Sequence, residues 1–308
     1  MSRLNRLSAS LIAVGLVAAH LLSRTWPDHA ANPLNLLESL YSIALALVIL
    51  LVCAALGWRL LRLVHLDSIL SERENFTFGV VVGLVALGYV LWGISLIGYF
   101  TPPVLLGTLL VLAIVVRKEL VASAHVLTSL HPPRFRLAPE SVAIAVLLLA
   151  LLGISLLKAL APPTDYDSLM YHLTVPARFL QEGRYVSWLA NVPQSAFPFS
   201  LEMVFGLGMA LGNDSVPALL SFGMVLLICL AIHDFAGKYI APEPAGSFAA
   251  VAFLTSTYFV QAAGYASVDP LWVLAEFLAV YAFVAWTKHR DAAWLRLTGV
   301  LLGAGLAV

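Results

Sequence analysis

Apolar runs of roughly 15 to 25 residues recur along this chain, parted by short polar stretches, as in a chain that crosses a bilayer many times. The pattern predicts spans at about 8–23, 39–61, 76–99, 103–117, 140–160, 215–236, 245–265, 269–287 and 293–308. At about 1.5 Å per helical residue each covers, or nearly covers, a hydrocarbon core of roughly 30 Å; the fourth and ninth are the shortest. A further apolar stretch, 199–211, reaches only about 20 Å as a helix. The expected fold is therefore an all-α polytopic membrane protein of about nine transmembrane helices. One long outer loop, 161–214, breaks the pattern and carries a juxtamembrane helix.

Basic residues orient these spans, because loops on the cytoplasmic side are enriched in Lys and Arg. With the N-terminus inside and 199–211 not crossing, 13 of the 17 Lys and Arg fall inside. The 4 outside are Arg24, Lys158, Arg178 and Arg184. If 199–211 crossed, Lys288, Arg290 and Arg296 would be thrown outside. The stretch therefore reads as a helix on the outer surface, with Phe199, Met203 and Leu207 turned to lipid. The first run resembles a signal peptide in its basic start and small residues near Ala30, but its length and the many spans after it favour a retained anchor. The segment 119–139, with His125 and His131, reads as the longest cytoplasmic loop. The chain stops inside an apolar run and reads as C-terminally incomplete.

Composition agrees. The chain is 61% hydrophobic and 11% charged, with mean hydropathy +0.94 and zero formal net charge. Zero net charge implies no bulk attraction to nucleic acid. Cys53 and Cys229 both lie in apolar runs and read as buried thiols. No spacing fits a zinc site, a P-loop or a dinucleotide-binding turn.

Where charge is scarce, its placement is informative. Asp165 and Asp167 follow the apolar run 140–160, where a helix leaves the membrane, and Tyr171 and His172 come next. Two carboxylates there can hold a divalent cation or take a proton from a hydroxyl; one of them can equally cap a helix beginning near Ser168. His172 fits an acid/base, a metal ligand or a phosphate contact. Arg178 and Arg184 can hold a phosphate. Glu202 lies in the apolar stretch 199–211 and needs a partner: Arg178, Arg184, His172 or a cation. Asp269 precedes Pro270 at a helix start. Glu276 follows on the same face, and an acid inside a span marks function by default.

Three stretches, DSLMYHLTVPARFLQEG, NVPQSAFPFSLEMVFGLGMALG and GYASVDPLWVLAEFLAVYAF, resemble the polytopic glycosyltransferases of the C-type fold. The likeness is to the family-39-like group related to protein mannosyltransferases and aminoarabinose transferases, and covers about 155–308. The resemblance implies two regions: 1–139, membrane helices of unclear role, and 140–308, a glycosyltransferase-like core with its catalytic loop at 161–214. It implies an integral protein of the bacterial plasma membrane. It implies transfer of a sugar from a polyprenyl-phosphate donor to a hydroxyl of a lipid, polysaccharide or protein on the outer face. Asp167, with Asp165 beside it, falls on the family's general base. Tyr171, His172, Arg178, Arg184, Glu202 and Asp269 would bind substrate. The one cofactor expected is a divalent cation on Asp165 and Asp167.

Two other classes compete. A transporter or flippase would couple ions through Asp269 and Glu276. A non-catalytic membrane subunit would use the loop as a docking surface.

Overall fold

The computed structural model describes residues 33–129, 139–187, 192, 194, 200–241 and 245–308. Among them the fold is helical, without a strand. The helices are α1 (Pro33–Leu63), α2 (Glu72–Leu96), α3 (Pro102–Val115), α4 (Arg117–Ser129), α5 (Pro139–Leu160), α6 (Thr174–Glu182), α7 (Ser200–Leu211), α8 (Ser215–Tyr239), α9 (Ala245–Leu254), α10 (Thr257–Ala262), α11 (Asp269–His289) and α12 (Ala292–Gly305). Five of them, α1, α2, α5, α8 and α11, are long and apolar enough to cross a bilayer. The chain is an integral membrane protein by this measure.

Three expectations change. The stretch 245–265 is no single span: the helix stops at Leu254 and restarts at Thr257 as the short α10. Segment 119–139 begins as helix, because α4 carries the chain to Ser129, with Glu119, Ser123 and Val126 turned inward. Stretch 199–211 does not lie on a surface. Met203 and Leu207 of α7 are enclosed rather than turned to lipid, while Phe199 lies outside the described residues. A helix apolar on every side and too short to cross gains most by burial in protein. Here α7 packs against α2, α3, α6 and α8. The expected first span, 8–23, also lies outside the described residues.

Small residues bring the central helices together. A Cβ added at Gly57 would come within 1.9 Å of the Gly79 carbonyl oxygen, and one at Gly83 within 1.8 Å of that of Cys53. α1 and α2 therefore touch backbone to backbone, antiparallel. Gly88 admits the first turn of α7 in the same way, 2.0 Å from the Ser200 carbonyl oxygen.

Charge then separates to two ends of the bundle. At one end Glu119, fully enclosed, accepts from Arg59 at 3.2 Å and Arg62 at 2.6 Å and ties α1 to α4. Arg73 pairs with Asp234 at 2.9 Å, and Lys238 with Glu74 at 2.9 Å. α2, α8 and α11 run from this basic end to an opposite end that holds Asp269, the 165–172 segment and α6.

Two outcomes follow. Gln181→Cys and Lys288→Cys should label from opposite sides of the membrane; labelling of both from one side would overturn the two-ended arrangement. Gly88→Ala should cost about 2 kcal/mol in detergent-solubilised protein through overpacking. Gly93→Ala, with nothing within 4 Å of the new Cβ, should be neutral or gain up to about 1 kcal/mol. Thermal unfolding of both variants checks the contrast.

Candidate functional site at the acidic end

The segment after α5 folds as a tight π-helical turn, Ser168–His172, closed by the Leu173 amide donating to the Ser168 carbonyl at 3.0 Å. Turns with one extra residue recur at functional sites because they redirect side chains. This one sends His172 into the core while Asp167 stays exposed. α6 follows and ends at Gly183, whose φ of +67° takes the left-handed form that closes a helix.

Asp165 does the capping: its Oδ1 accepts from the Ser168 amide at 2.8 Å. Its Oδ2 is enclosed and has no partner. Asp167 makes no capping bond. The Ser168 hydroxyl donates to the Ala266 carbonyl at 3.2 Å and holds the turn against the approach to α11. There Asp269 accepts from the hydroxyls of Ser267, at 2.9 Å, and Tyr258. Ser267 is itself fastened to α8, its amide donating to the Ser221 hydroxyl at 3.2 Å.

Glu202 enters from α7. Its side chain is 8% exposed, and its Oε1 lies 3.0 Å from Nδ1 of His172, which is 3% exposed. The second oxygen, Oε2, is enclosed without a partner. The expected pairing of Glu202 is thus made by His172 and not by Arg178. Arg178 instead pairs with Glu182 at 2.7 Å on the exposed side of α6. Arg184 is exposed beyond the end of α6. The structure brings neither arginine into contact with the acids.

Tyr171 reports the convergence. Its ring lies 4.0 Å from the His172 ring. Burial, then the negative fields of Asp167, Asp269, Glu202 and Asp165 in that order, push its hydroxyl up to about 12. Carboxylates from three separate parts of the chain therefore act on the Tyr171 phenol, which stays protonated at neutral pH.

Among the described residues no three His, Cys, Asp or Glu side chains assemble as a metal cage. Oδ1 of Asp165 is committed to the Ser168 amide, which leaves its Oδ2 and the Asp167 carboxylate as the oxygens this pair offers a divalent cation.

Sequence reading missed Tyr258, Ser267 and Lys158. Lys158, half-buried at the end of α5, sits with Nζ 4.9 Å from the centre of the Tyr265 ring, one residue from the Ala266 carbonyl that anchors Ser168. Its signal was a lysine seven residues before Asp165, weighed only as a loop charge. Glu276 does not join the site: it lies on the exposed side of α11 with Trp272 and Val280 and has no polar partner among the described residues.

Fold and site together define an all-helical membrane protein with an acidic, tyrosine-lined cluster at one end. The family described as the DUF1420 N-terminal domain matches residues 127–281, about half the chain, and the chain belongs to it. The matched stretch contains every residue of the acidic cluster. No curated protein and no solved structure matches the chain.

The buried pair predicts an order of costs. Glu202→Ala leaves His172 enclosed without its partner and should cost about 1–3 kcal/mol of stability. Arg178→Ala removes an exposed pair and should stay within about 1 kcal/mol. Denaturation of both variants in detergent tests the order; its reversal would remove the Glu202–His172 contact as the anchor of the site.

Proposed function

We propose that the acidic end is the active site of a glycosyltransferase that moves a sugar from a polyprenyl-phosphate donor to an acceptor hydroxyl. The observation that carries the reading is that the turn bearing Asp165 and Asp167 is joined to Glu202 through His172, and to the approach to Asp269 through Ser168 and Ala266, at one end of an apolar bundle. A polyprenyl tail stays in lipid, so its sugar is confined to the membrane surface, where an exposed carboxylate at a bundle end can meet it.

In this reading Asp167 is the general base, since it is the exposed carboxylate of the cluster and makes no capping bond. It takes the proton of the acceptor hydroxyl as that oxygen bonds to the anomeric carbon. The bond from that carbon to the phosphate oxygen breaks, and the phosphate leaves with the electron pair. Attack from the opposite side inverts the centre. Asp165 shapes the turn that presents Asp167. The protonated hydroxyl of Tyr171 is a donor for a sugar oxygen or phosphate. Lys158 replaces Arg178 as the cation for the leaving phosphate, because Arg178 is spent on Glu182. In this reading the shorter apolar helices α3, α9 with α10, and α12 also pass through the bilayer. The acidic end then faces the outside of a bacterial plasma membrane.

The test uses protein in liposomes, polyprenyl-phosphate hexoses and pentoses as donors, and mass spectrometry of envelope lipids and glycans as acceptor readout. Asp167→Asn should lower transfer by a factor of about 10² to 10⁴ with donor binding near normal. Wild-type turnover in that variant would remove Asp167 as the base. A dead Asp165→Asn beside an active Asp167→Asn would exchange their roles.

A further inference from the structure

A cavity of about 400 Å³ lies between α1, α2 and α8 on one side and α5 and α9 on the other. It stands apart from the acidic cluster, towards the basic end. Its walls are apolar: Leu47 and Leu51 of α1, Phe76 and Val80 of α2, Leu226 of α8 and Leu148 of α5. Four of the helices that form it are membrane spans, so it lies at hydrocarbon depth. Among the described residues it has an open side there, since the lining residues Leu47 and Leu226 are 42% and 40% exposed. α5, whose span is only 11% buried, forms the loosely packed wall beside that opening. Water does not fill such a space, because apolar cavities stay dry. What reaches it from the bilayer is a hydrocarbon chain.

The volume falls at the low end of ligand sites, roughly 300–1,000 Å³, which suits one chain better than two. Helical rise from Arg73 to the level of Leu47 gives a length of roughly 20 Å.

The cavity is not uniform along its length. At the basic end its lining turns polar, with Arg73, His233 and Ser247. The Arg73 side chain is 44% exposed, and it contacts Asp234 through one guanidinium nitrogen, Nη2, at 2.9 Å. A guanidinium carries five donors, so those left over can meet a phosphate that also reaches bulk water. Arg73 is the second residue of α2, at the level where a lipid headgroup meets the aqueous phase.

We propose that this groove is a lipid site that holds one acyl chain of an anionic phospholipid, with the lipid phosphate at Arg73 beside His233. The site is independent of sugar transfer: it lies at the other end of the bundle from Asp167 and rests on the groove alone. A bound chain would fill the gap between α5 and the α1–α2–α8 core.

The experiment is native mass spectrometry of the whole chain, delipidated in a mild detergent and titrated with dioleoyl-phosphatidylglycerol or dioleoyl-phosphatidylcholine. One phosphatidylglycerol should bind at a concentration about tenfold below that needed for phosphatidylcholine. Ala250→Trp, which fills the groove, should weaken that binding at least about tenfold. Leu148→Trp, on the loosely packed α5, does the same and serves if Ala250→Trp does not fold. The double change Arg73→Gln with Asp234→Asn should keep chain binding and abolish the preference for the anionic head. Displacement of bound phosphatidylglycerol by an equal concentration of decaprenyl phosphate would overturn the assignment to an acyl chain. Equal binding of the two phospholipids to the wild type would overturn the proposal. So would undiminished binding in the folded groove-filling variants.

Discussion

The bundle is organised around one buried carboxylate, Glu74, on the first turn of α2. Its Oε2 accepts from the amide and hydroxyl of Ser71, at 2.9 and 2.8 Å, and completes a capping box. Its Oε1 accepts from Lys238 of α8 at 2.9 Å and Tyr281 of α11 at 2.6 Å. A carboxylate enclosed without partners would be costly by several kcal/mol, so these four donors are the condition for its presence there. Lys238 is fixed in turn among the rings of Tyr239, Tyr281 and Trp294, each with its centre within 5.9 Å. One group thereby sets the register of α8, α11 and α12 against α2. Tyr281 is twelve residues from Asp269, about 18 Å along α11. The position of Asp269 at the far end, and its link through Ser267 to Ser221 of α8, depend on that register.

The same rule sorts the other acids in apolar surroundings. Glu119 is enclosed because Arg59 and Arg62 reach it. Glu202 is enclosed because a π turn brings His172 to it, and because Gly88 lets α7 sink against α2. Where no donor is in reach, the acid stays on the exposed side of its helix, as Glu276 does beside Trp272 and Val280. Asp269 and Glu276 share a face of α11, yet only the first meets partners. An ion path through both therefore lacks a polar bridge between them among the described residues.

Much of this was legible in the sequence, and the failures have a common cause. Long apolar runs such as 39–61, 76–99 and 215–236 became spans because nothing but burial in lipid or protein suits them. The two-ended charge pattern came from Lys and Arg positions alone. Hydropathy cannot distinguish an apolar helix facing lipid from one enclosed by protein, so α7 read as a surface helix until its packing against Gly88 and Phe100 was visible. It also passed over the break at residues 255 and 256, since Thr and Ser there hardly lower the local average. Pairings over long sequence distances were legible only as needs: Glu202 required a partner, and four were open to it. His172 won because the π turn points it inward, whereas Arg178 found Glu182 one turn away on its own helix. Asp165 and Asp167 looked alike in sequence; backbone geometry separated the cap from the exposed acid.

That separation explains how several carboxylates tolerate one another at the acidic end. Like charges gathered in a partly buried space repel unless each is met by a donor. Asp269 has the hydroxyls of Tyr258 and Ser267, Asp165 has the Ser168 amide, and Glu202 has His172. These contacts fix the three side chains, while Oδ2 of Asp165 and Oε2 of Glu202 stay enclosed without a partner. Asp167 is the one acid of the cluster without a hydrogen-bond donor among the described residues, and it is the exposed one. Burial, and after it the negative field of the acids, keeps the Tyr171 hydroxyl protonated. A carboxylate left free by the satisfaction of its neighbours and a phenol that remains a donor give one end of an apolar bundle both an acceptor and a donor.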